Sequence, residues 1–329
     1  MIRKAVIPAA GWGTRFLPAT KVQPKELVTV VDRPAIHYVV EEAVRAGIEE
    51  IIIVTGRNKR AIEDYFDRAP ELEQLLLAKG KAELLAAVQE LTERAEFYFP
   101  RQREPRGLGD AVYAARRLVG DEPFAVLLPD ELIPGRPSCL EEMIRQYTGG
   151  AMVAVQEVPL EEVHRYGVVK PAAGAAGPAV AGTGTPGAPG AKGGAGSVSG
   201  GAGAGGVIPV ADLVEKPGVE EAPSNLAIIG RYLLPPQIFD ILAELPPGRG
   251  GEVQLTDALR VLAARGKVEA FLYQGERYDV GSPLGFLEAN VALALRRPEL
   301  APTFLQFLTR ELQRAEAGGQ VPAVEAEAG

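Results

Sequence analysis

The feature that most restricts the fold of this chain is the alternation of apolar runs with amphipathic segments over its first part. The apolar runs are short and almost continuous, as in "KAVIPAA" and "EEIIIVTG". Such strands are buried on both faces, which is typical of a parallel sheet covered by helices on each side. The pattern predicts an α/β fold, with strands over residues 4–10, 49–56, 95–100 and 123–133 and helices over residues 35–47, 58–66 and 108–120.

The second half of the chain has a more antiparallel character. Short apolar strands such as "AMVAVQEV", "YGVVKP" and "NLAIIGRYLL" follow one another with turns between them. Between Asp67 and Arg94, a leucine-rich stretch predicts a helical arm packed against the rest of the molecule, because leucines at helical spacing usually form a buried face. Further helices are expected over residues 236–245, 255–265, 283–297 and 302–314.

The stretch from Pro171 to Val207 consists almost entirely of glycine and alanine and has no apolar periodicity. Such a composition supplies no face to bury, and we expect a disordered surface loop over residues 172–206. The rest predicts a single domain over residues 1–300. The helices over residues 283–314 are candidates for a contact between subunits, and residues 315–329 are expected to form a flexible tail.

Composition argues against several classes of function. The formal net charge is −8, so the chain lacks the positive field of a general nucleic-acid or membrane-surface binder. Because Cys139 is the only cysteine, no internal disulfide is possible, which fits a reducing compartment. Two histidines and one cysteine are too few for a conventional structural zinc site. The apolar start is too short for a signal peptide or a membrane span. We expect a cytoplasmic protein.

Chemistry-bearing residues are concentrated just after the first strand, in "PAAGWGTRFLPATKVQPKE". Ligands of open parallel sheets bind beyond the carboxyl ends of the strands. Gly11 and Gly13 would let backbone N–H groups approach a phosphate or a flat base without interference from a Cβ atom. Arg15 offers a planar fork for phosphate oxygens, and Lys25 offers a mobile point charge. These residues suit a polyphosphate, although on this pattern alone a plain tight turn stays open as the alternative.

The same stretch lacks the third glycine of the dinucleotide-binding fingerprint and the GKS or GKT of the P-loop. It resembles instead the signature of the sugar-nucleotide pyrophosphorylases, in which a glycine loop and Thr-Arg are followed by Pro-Lys-Glu. Within these nucleotidyltransferases, later segments are similar to the bacterial UTP–glucose-1-phosphate uridylyltransferases: "RGLGDAV", "AVLLPDELI", "YGVV", "VEKP", "PSNLAIIGRYLL" and "YDVGSPLGFLEA". The resemblance covers nearly the whole chain except the Gly/Ala stretch and the final tail.

This resemblance implies a Rossmann-like, three-layer nucleotidyltransferase fold with a mixed, mainly parallel central sheet. Residues from about 1 to 135 would bind the nucleotide, and residues from about 136 to 282 the sugar. The implied reaction converts UTP and glucose-1-phosphate into UDP-glucose and pyrophosphate, with Mg²⁺ as the cofactor. The sugar phosphate would attack the α-phosphorus of UTP in line with the leaving group. A homodimer or homotetramer is also implied.

Residues that match the family's catalytic and nucleotide-binding positions follow from the resemblance one at a time. Arg15 is expected to hold the β- and γ-phosphates, and Lys25 to lie near the α-phosphate and the leaving group. Glu26 and Gln102 are expected to contact the nucleobase through their side chains. The other nucleotide-binding positions are expected to act through their backbone or by lying against the base: Ala10, Gly11, Gly13 and Gly107.

On the sugar side, the resemblance points to the "YGVV", "VEKP" and "PSNLA" segments. Lys216 is expected to neutralise the sugar phosphate and to steer it toward the α-phosphorus. Glu215 is expected to accept hydrogen bonds from glucose hydroxyls, and Gly167 to give backbone contacts. For Asn225, a sugar contact and a cap at the turn before a strand are equal alternatives.

Two aspartates match the family's metal-binding positions. Asp130 follows a buried apolar strand, where a carboxylate is costly unless it is paired or bound to a metal. Asp279 precedes a predicted helix and could instead serve as a cap or turn residue. Two carboxylates, phosphate oxygens and water suit Mg²⁺, which takes few protein ligands.

Some residues depart from the family pattern near the presumed base pocket. Asp110 stands where the subfamily usually has histidine, and Trp12 replaces a smaller residue in the glycine loop. An enzyme that prefers dTTP is therefore the nearest alternative, since thymine carries the same N3–H and O4 groups as uracil. A non-catalytic sugar-nucleotide sensor is a second alternative function, although such a protein would not need the charged residues that this chain retains. A glycosyltransferase is disfavoured because the Asp-x-Asp motif is absent.

Overall fold

The computed structural model describes residues 1–174 and 206–318. Its strands are β1 (Lys4–Pro8), β2 (Thr29–Val30), β3 (Arg33–Pro34), β4 (Glu50–Val54), β5 (Glu96–Tyr98), β6 (Phe124–Leu127), β7 (Glu131–Leu132), β8 (Ala151–Glu157), β9 (Gly167–Pro171), β10 (Val207–Glu215), β11 (Leu226–Leu234), β12 (Val268–Leu272) and β13 (Tyr278–Asp279). Its helices are α1 (Ala35–Arg45), α2 (Arg60–Phe66), α3 (Pro70–Ala78), α4 (Ala82–Gln89), α5 (Leu108–Ala114), α6 (Arg116–Val119), α7 (Cys139–Gln146), α8 (Ile238–Glu244), α9 (Leu255–Ala263), α10 (Pro283–Leu295) and α11 (Ala301–Gly318).

One large mixed sheet organises the molecule, with the strand order β5-β4-β1-β6-β11-β8-β12-β10-β9. The strands of the first half, β5, β4, β1 and β6, pair in parallel. Strand β11 runs antiparallel to both β6 and β8 and joins the two halves. The predicted α/β fold with a mixed central sheet is confirmed, and so is the more antiparallel second half.

The sheet separates two apolar cores. Ala5 and Ile7 of β1 contact the core on one face, whereas Val6 between them contacts the core on the other, as the alternation of side chains along a strand requires. Helices α1, α2, α7 and α10 cover the first face, and helices α5, α8 and α9 cover the second. The result is a three-layer arrangement in which the carboxyl ends of the parallel strands β1, β4 and β6 share one edge of the sheet.

The leucine-rich stretch departs from its prediction. It does form helices, α3 and α4, which pack on each other. Four of its leucines, however, remain largely in solvent: Leu72, Leu75, Leu77 and Leu84 are 43%, 48%, 70% and 55% exposed, whereas Leu91 after α4 is buried in the core. The expectation of an arm packed against the core is therefore wrong for this face. Periodicity reports which side chains share a face, but it does not report whether the fold places a partner opposite them.

Strands β9 and β10 form an antiparallel pair at the edge of the sheet, with Gly167 opposite Glu215. At the other end of the pair, Pro171 lies beside Val210, where the predicted Gly/Ala loop begins. Most of that loop lies outside the described residues, as does most of the predicted tail. Helix α11 continues to Gly318, past its predicted end at residue 314. Within the described part of the chain, no helix combines the length and apolar character needed to span a membrane.

His37 on α1 is a buried titratable group with a fixed tautomer. Arg33 Nη1 lies 3.4 Å from its Nε2, and the Tyr65 hydroxyl lies 2.8 Å from its Nδ1. Because arginine can only donate, Nε2 must accept and Nδ1–H donates to Tyr65. Burial, and then the positive charge of Arg33, lower the pKa of His37 to about 4. The imidazole of His37 is therefore neutral in the folded protein at neutral pH.

Acidification is expected to destabilise the protein through His37. Since its pKa in the folded state lies below its ordinary value, the unfolded state binds more protons between about pH 4 and 6.5, and stability is lost as the pH falls through this window. We expect His37 to account for about 2 kcal/mol of the unfolding free energy lost between pH 7 and pH 5. Urea unfolding at both pH values should show a smaller loss for His37→Gln. The exposed His164 gives the matched control His164→Gln, and equal losses in both variants would contradict the assignment.

Candidate active site

The turn after β1 brings glycine backbone and Lys25 together. Gly13 adopts the left-handed conformation, with φ 67°, and a Cβ atom there would lie 2.9 Å from the Cβ of Lys25. The Thr20 hydroxyl donates to the Gly13 carbonyl oxygen at 2.7 Å and closes the turn. Only glycine meets both the conformational and the steric demand at position 13. The glycine turn and Lys25 therefore line the same cavity.

Lys25 lies on a short 3-10 helix and donates from Nζ to Asp130 Oδ2 at 2.6 Å. Burial lowers the pKa of Lys25, but the Asp130 and Glu26 carboxylates offset this and raise the pKa above its ordinary value. Burial likewise raises the pKa of Asp130, and the ammonium group of Lys25 reverses the effect, so that the pKa is lowered overall. Both groups are therefore charged at neutral pH, and two residues predicted from separate motifs meet directly.

Asp279 faces the same space as Asp130. In the small ladder of β13 and β7, Asp279 lies opposite Glu131, and the Val280 N–H donates to the Asp130 carbonyl oxygen at 2.9 Å. A Cβ atom at Gly281 would lie 3.0 Å from Asp130 Oδ2 and 3.0 Å from Asp279 Oδ1. Both carboxylates thus converge on the glycine between Val280 and the helix α10 cap. Arg165 Nη2 donates to the other Asp279 oxygen at 2.6 Å.

This donor set fits Mg²⁺ bound together with a phosphate ligand. Hard carboxylate oxygens are suitable, and Mg²⁺ is usually held by one or two carboxylates while it keeps waters or substrate oxygens. Among the described residues, no cluster of three or more histidine, cysteine or acidic side chains could hold a metal by itself. A metal at Asp130 and Asp279 would therefore take its remaining ligands from substrate and water.

A cavity of about 560 Å³ opens over the glycine turn. Gly107 lines it with φ 101°, and a Cβ atom there would lie 2.7 Å from the Val253 carbonyl oxygen. Glycine is thus needed at position 107, because a side chain would collide with the Val253 segment that packs behind the cavity wall. The walls bring together the residues predicted to bind a nucleotide: Ala10, Gly11, Gly13, Lys25, Glu26, Gln102 and Gly107.

Glu26 lies deep in the wall of this cavity. It is 2% exposed, and its Oε2 accepts a hydrogen bond from Lys59 Nζ at 2.7 Å. Its Oε1 is buried and has no hydrogen-bond partner among the described residues. Burial raises the pKa of Glu26, and the positive charges of Lys59 and Lys25 oppose that effect. Its predicted contact with the base stays a prediction, and the orphan acceptor is compatible with it.

A second cavity, of about 270 Å³, lies beside β9 and β10. Thr256 donates from its hydroxyl to Glu215 Oε2 at 2.6 Å, and a Cβ atom at Gly167 would lie 3.2 Å from the same oxygen. Lys216 has a positive φ of 46°, and its N–H donates to the Tyr166 carbonyl oxygen at 2.9 Å. The predicted sugar-side residues Gly167, Glu215 and Lys216 are therefore brought together, with Arg15 on the same wall.

Asn225 is the predicted site residue that the structure leaves apart from this cavity. Its carbonyl oxygen accepts from the Val158 N–H at 3.0 Å at the start of the β11–β8 pair. Any residue can make this backbone contact, so it does not decide between the two alternatives for the Asn225 side chain. The sugar role of Asn225 stays a prediction.

The two cavities meet at Asp130. Four residues line both of them, namely Leu108, Leu128, Asp130 and Glu252. A ligand that fills the cavity over the glycine turn would therefore end beside Asp130, and so would a ligand that fills the cavity beside β9. The arrangement can hold two anionic molecules with their charged ends at one junction.

A buried network that the sequence did not reveal links the carboxylate ladder to the second cavity. Arg277 Nη1 donates to both carboxylate oxygens of Glu131, at 3.1 and 3.2 Å, and its Nη2 donates to the Tyr166 hydroxyl at 3.0 Å. Burial raises the pKa of Glu131 to about 8, although Arg277 opposes the shift. Tyr166 immediately precedes Gly167, so the network ties the Asp130–Glu131 segment to the start of β9.

Sequence reasoning also missed Arg165 and Lys59. Arg165 lies two residues before Gly167, so a cation beside a recognised motif was a visible signal. The same holds for Arg277, which lies two residues before Asp279. Lys59 gave no such signal, because its partner Glu26 belongs to a different element and only the fold brings them together.

Comparison with known proteins extends this picture. The family model for nucleotidyl transferases matches residues 4–295. The UTP–glucose-1-phosphate uridylyltransferase of Bacillus subtilis is 45% identical over 317 residues, covering 96% of this chain and 99% of the relative. A second such enzyme, from Staphylococcus saprophyticus, is 45% identical over 311 residues, with 94% of this chain and 98% of the relative covered.

Solved structures agree with the sequence comparison. A UTP-bound UGPase from Acinetobacter baumannii has a TM-score of 0.79 at 43% identity, and the match covers 94% of this chain and 99% of that one. A UDP-glucose pyrophosphorylase complexed with UDP-glucose has a TM-score of 0.75 at 42% identity, covering 90% of this chain and all of the other. The resemblance read from the glycine loop and the later motifs is confirmed, and this chain belongs to the nucleotidyl transferase family.

Proposed function

We propose that this protein catalyses the conversion of UTP and glucose-1-phosphate into UDP-glucose and pyrophosphate. The observation that carries the proposal is the junction at Asp130, where the cavity over the glycine turn meets the cavity beside Glu215. Relatives that cover almost the whole chain are uridylyltransferases with this reaction in their name. The nucleotide would occupy the first cavity and the sugar phosphate the second.

In this proposal, the uridine moiety lies against Ala10, Gly11 and Gly107, with Gln102 and Glu26 reading the base. The turn at Gly13 would present backbone N–H groups to the phosphate chain. Arg15, on the wall of the second cavity, would meet the β- and γ-phosphates where they extend past the junction. Lys25 lies at the junction and would contact the α-phosphate. Positioning and charge neutralisation are the main contributions that a protein makes to phosphoryl-type transfer, because little covalent chemistry is left to it.

The sugar phosphate would enter from the Glu215 side. Lys216 holds its charge, while Glu215 accepts hydrogen bonds from sugar hydroxyls; Thr256 occupies Glu215 Oε2 and keeps that carboxylate in place. An oxygen of the sugar phosphate then forms a bond to the α-phosphorus, and the bond from that phosphorus to the bridging oxygen of the β-phosphate breaks. Pyrophosphate leaves with the electron pair. No proton transfer is needed, since the attacking oxygen is already ionised.

We further propose Mg²⁺ as the cofactor, held by Asp130 and Asp279. Bound there, the ion would neutralise phosphate charge and polarise the α-phosphate. Lys25 and Arg165, which donate to these two carboxylates, keep the carboxylates oriented toward the same space. Gly281 is needed between them, because a side chain at this position would lie against both carboxylates.

The proposal is tested by measuring pyrophosphate release with glucose-1-phosphate and Mg²⁺, comparing UTP with dTTP, CTP, GTP and ATP. We expect the highest kcat/KM with UTP. Asp130→Asn should lower that value by at least about 10²-fold, because the junction loses charge where the phosphates meet. The exposed Asp121 gives the matched control Asp121→Asn, which should leave activity unchanged.

Other outcomes of this experiment are equally informative. A preference for dTTP would keep the family and refute the assignment of UTP. Tight binding of UDP-glucose without turnover of any triphosphate would favour a sugar-nucleotide sensor. Activity of Asp130→Asn equal to that of Asp121→Asn would refute the role given to the junction.

We also propose a cytoplasmic homodimer or homotetramer with contacts through the C-terminal helices. What supports this is apolar surface on α10 and α11, where Leu284, Leu287 and Leu312 are 68%, 60% and 61% exposed. The single thiol, Cys139, is buried and suits a reducing compartment. Light scattering of the purified protein measures the assembly directly, and a monomer at micromolar concentration would refute this part of the proposal.

A further inference from the structure

The side-chain amide of Gln102 is held from one side by two acceptors. Its Nε2 donates to Asp110 Oδ2 at 2.8 Å and to the Gly107 carbonyl oxygen at 3.2 Å. Its backbone N–H donates to the Thr55 carbonyl oxygen at 2.9 Å, and the residue is 8% exposed. Both hydrogens of the amide NH₂ group are thus directed at oxygens of the protein itself.

Asp110 makes this orientation unambiguous. An ionised carboxylate can only accept, and its second oxygen already accepts from Arg106 Nη2 at 2.9 Å. If the Gln102 amide flipped, its carbonyl oxygen would face the carboxylate and the Gly107 carbonyl with no hydrogen between them, which is costly for buried groups. The NH₂ group therefore faces Asp110, and Oε1 is the group that Gln102 can offer to a ligand.

We propose that Asp110 is a positioning residue for base selection. By fixing the amide of Gln102, it makes the cavity favour a base with a ring N–H donor and disfavour one whose ring nitrogen carries a lone pair. Uracil and thymine have an N–H group at ring position 3, whereas cytosine has a bare nitrogen there. This inference rests on the proposed function, since it takes Gln102 as the residue that faces the base.

The expected discrimination follows from hydrogen-bond chemistry. The Gln102 carbonyl oxygen gains a hydrogen bond with uracil, but it meets a second acceptor with cytosine. Sites built around one donor–acceptor pair reject analogues that leave a buried group unpaired. The negative charge of Asp110 also polarises the amide and strengthens Oε1 as an acceptor. Asp110 thus acts through Gln102 without touching the nucleotide.

The test compares Asp110→Asn with the wild type in kcat/KM for UTP, CTP and dTTP. Asparagine can donate to a flipped Gln102 amide, so we expect the UTP/CTP ratio to fall by about tenfold. The UTP/dTTP ratio should not change, because both bases carry the same N–H group. Arg106→Met is the matched control: it removes the exposed partner of Asp110 but leaves an acceptor-only carboxylate, and should keep the wild-type ratio.

Binding without turnover gives a second measurement. Trp12 is the only tryptophan and lines the cavity over the glycine turn, so its fluorescence reports nucleotide binding. The ratio of UDP to CDP affinity should narrow in Asp110→Asn as the kinetic ratio does. An unchanged ratio in Asp110→Asn, or the same change in Arg106→Met, would overturn this inference alone. A wild type that does not prefer UTP over CTP would overturn the proposed function as well.

Discussion

Replacement of Lys25 by alanine is expected to lower kcat/KM for UTP by about 10³-fold. Lys25 Nζ lies 2.6 Å from Asp130, at the point where the two cavities meet. In the proposed reaction, its ammonium group would lie where negative charge develops as pyrophosphate departs. The loss should appear mainly in kcat, because the interaction is strongest in the transition state. Steady-state pyrophosphate release at saturating glucose-1-phosphate measures it.

Lys79 offers a matched control for this variant. It is exposed at the end of α3, away from both cavities, and Lys79→Ala removes the same side chain without changing the junction. We expect wild-type kcat and KM for the control. A Lys25→Ala enzyme that retains a tenth or more of wild-type activity would contradict the role assigned to Lys25.

Replacement of Arg231 by methionine should lower the free energy of unfolding by about 3–5 kcal/mol. Arg231 is fully buried on β11, and its Nη2 donates to Glu42 Oε2 at 2.8 Å and to the Glu131 carbonyl oxygen at 2.8 Å. Methionine fills most of the volume but leaves the buried Glu42 without its cationic partner, with the Leu140 N–H as a remaining donor to Oε1. Thermal and urea unfolding should both report the loss, with the melting temperature lower by about 4–7 °C.

A second variant separates the charge effect from the volume effect. If the unpaired carboxylate is the cause, Arg231→Met combined with Glu42→Gln should regain a large part of the lost stability. Arg260→Met is the surface control, because the bridge of Arg260 to Asp212 is exposed and such pairs contribute about 0–1 kcal/mol. Equal destabilisation in the single and double variants would refute this explanation.

The parts of the site that the sequence predicted are those that local patterns encode. The glycine turn follows β1 and Asp130 follows β6, two strands whose apolar runs are visible in the sequence, and parallel strands bring their carboxyl ends to one edge. The partners of these residues were not predictable in the same way. Arg277 and Glu131 are 146 positions apart, and their contact depends on the ladder of β7 and β13.

The same distinction explains the leucine-rich arm. Helical spacing correctly predicted α3 and α4, since spacing is a local property. Burial of the leucine face requires a partner surface, and residues far along the chain decide whether one is present. Lys59 beneath Glu26 and Arg231 beside Glu42 are further contacts of this kind, in which tertiary structure alone selects the partner.

The antiparallel pair of β9 and β10 keeps the Gly/Ala stretch at the opposite end from Gly167 and Glu215. Its sugar-side end carries Gly167 and Glu215, and its opposite end, about 13 Å away along the five residues of β9, leads into the Gly/Ala stretch. Among the described residues, the ladder of β9 and β10 connects that stretch to Gly167 and Glu215. An affinity tag or a reporter domain inserted between β9 and β10 is therefore expected to leave turnover intact.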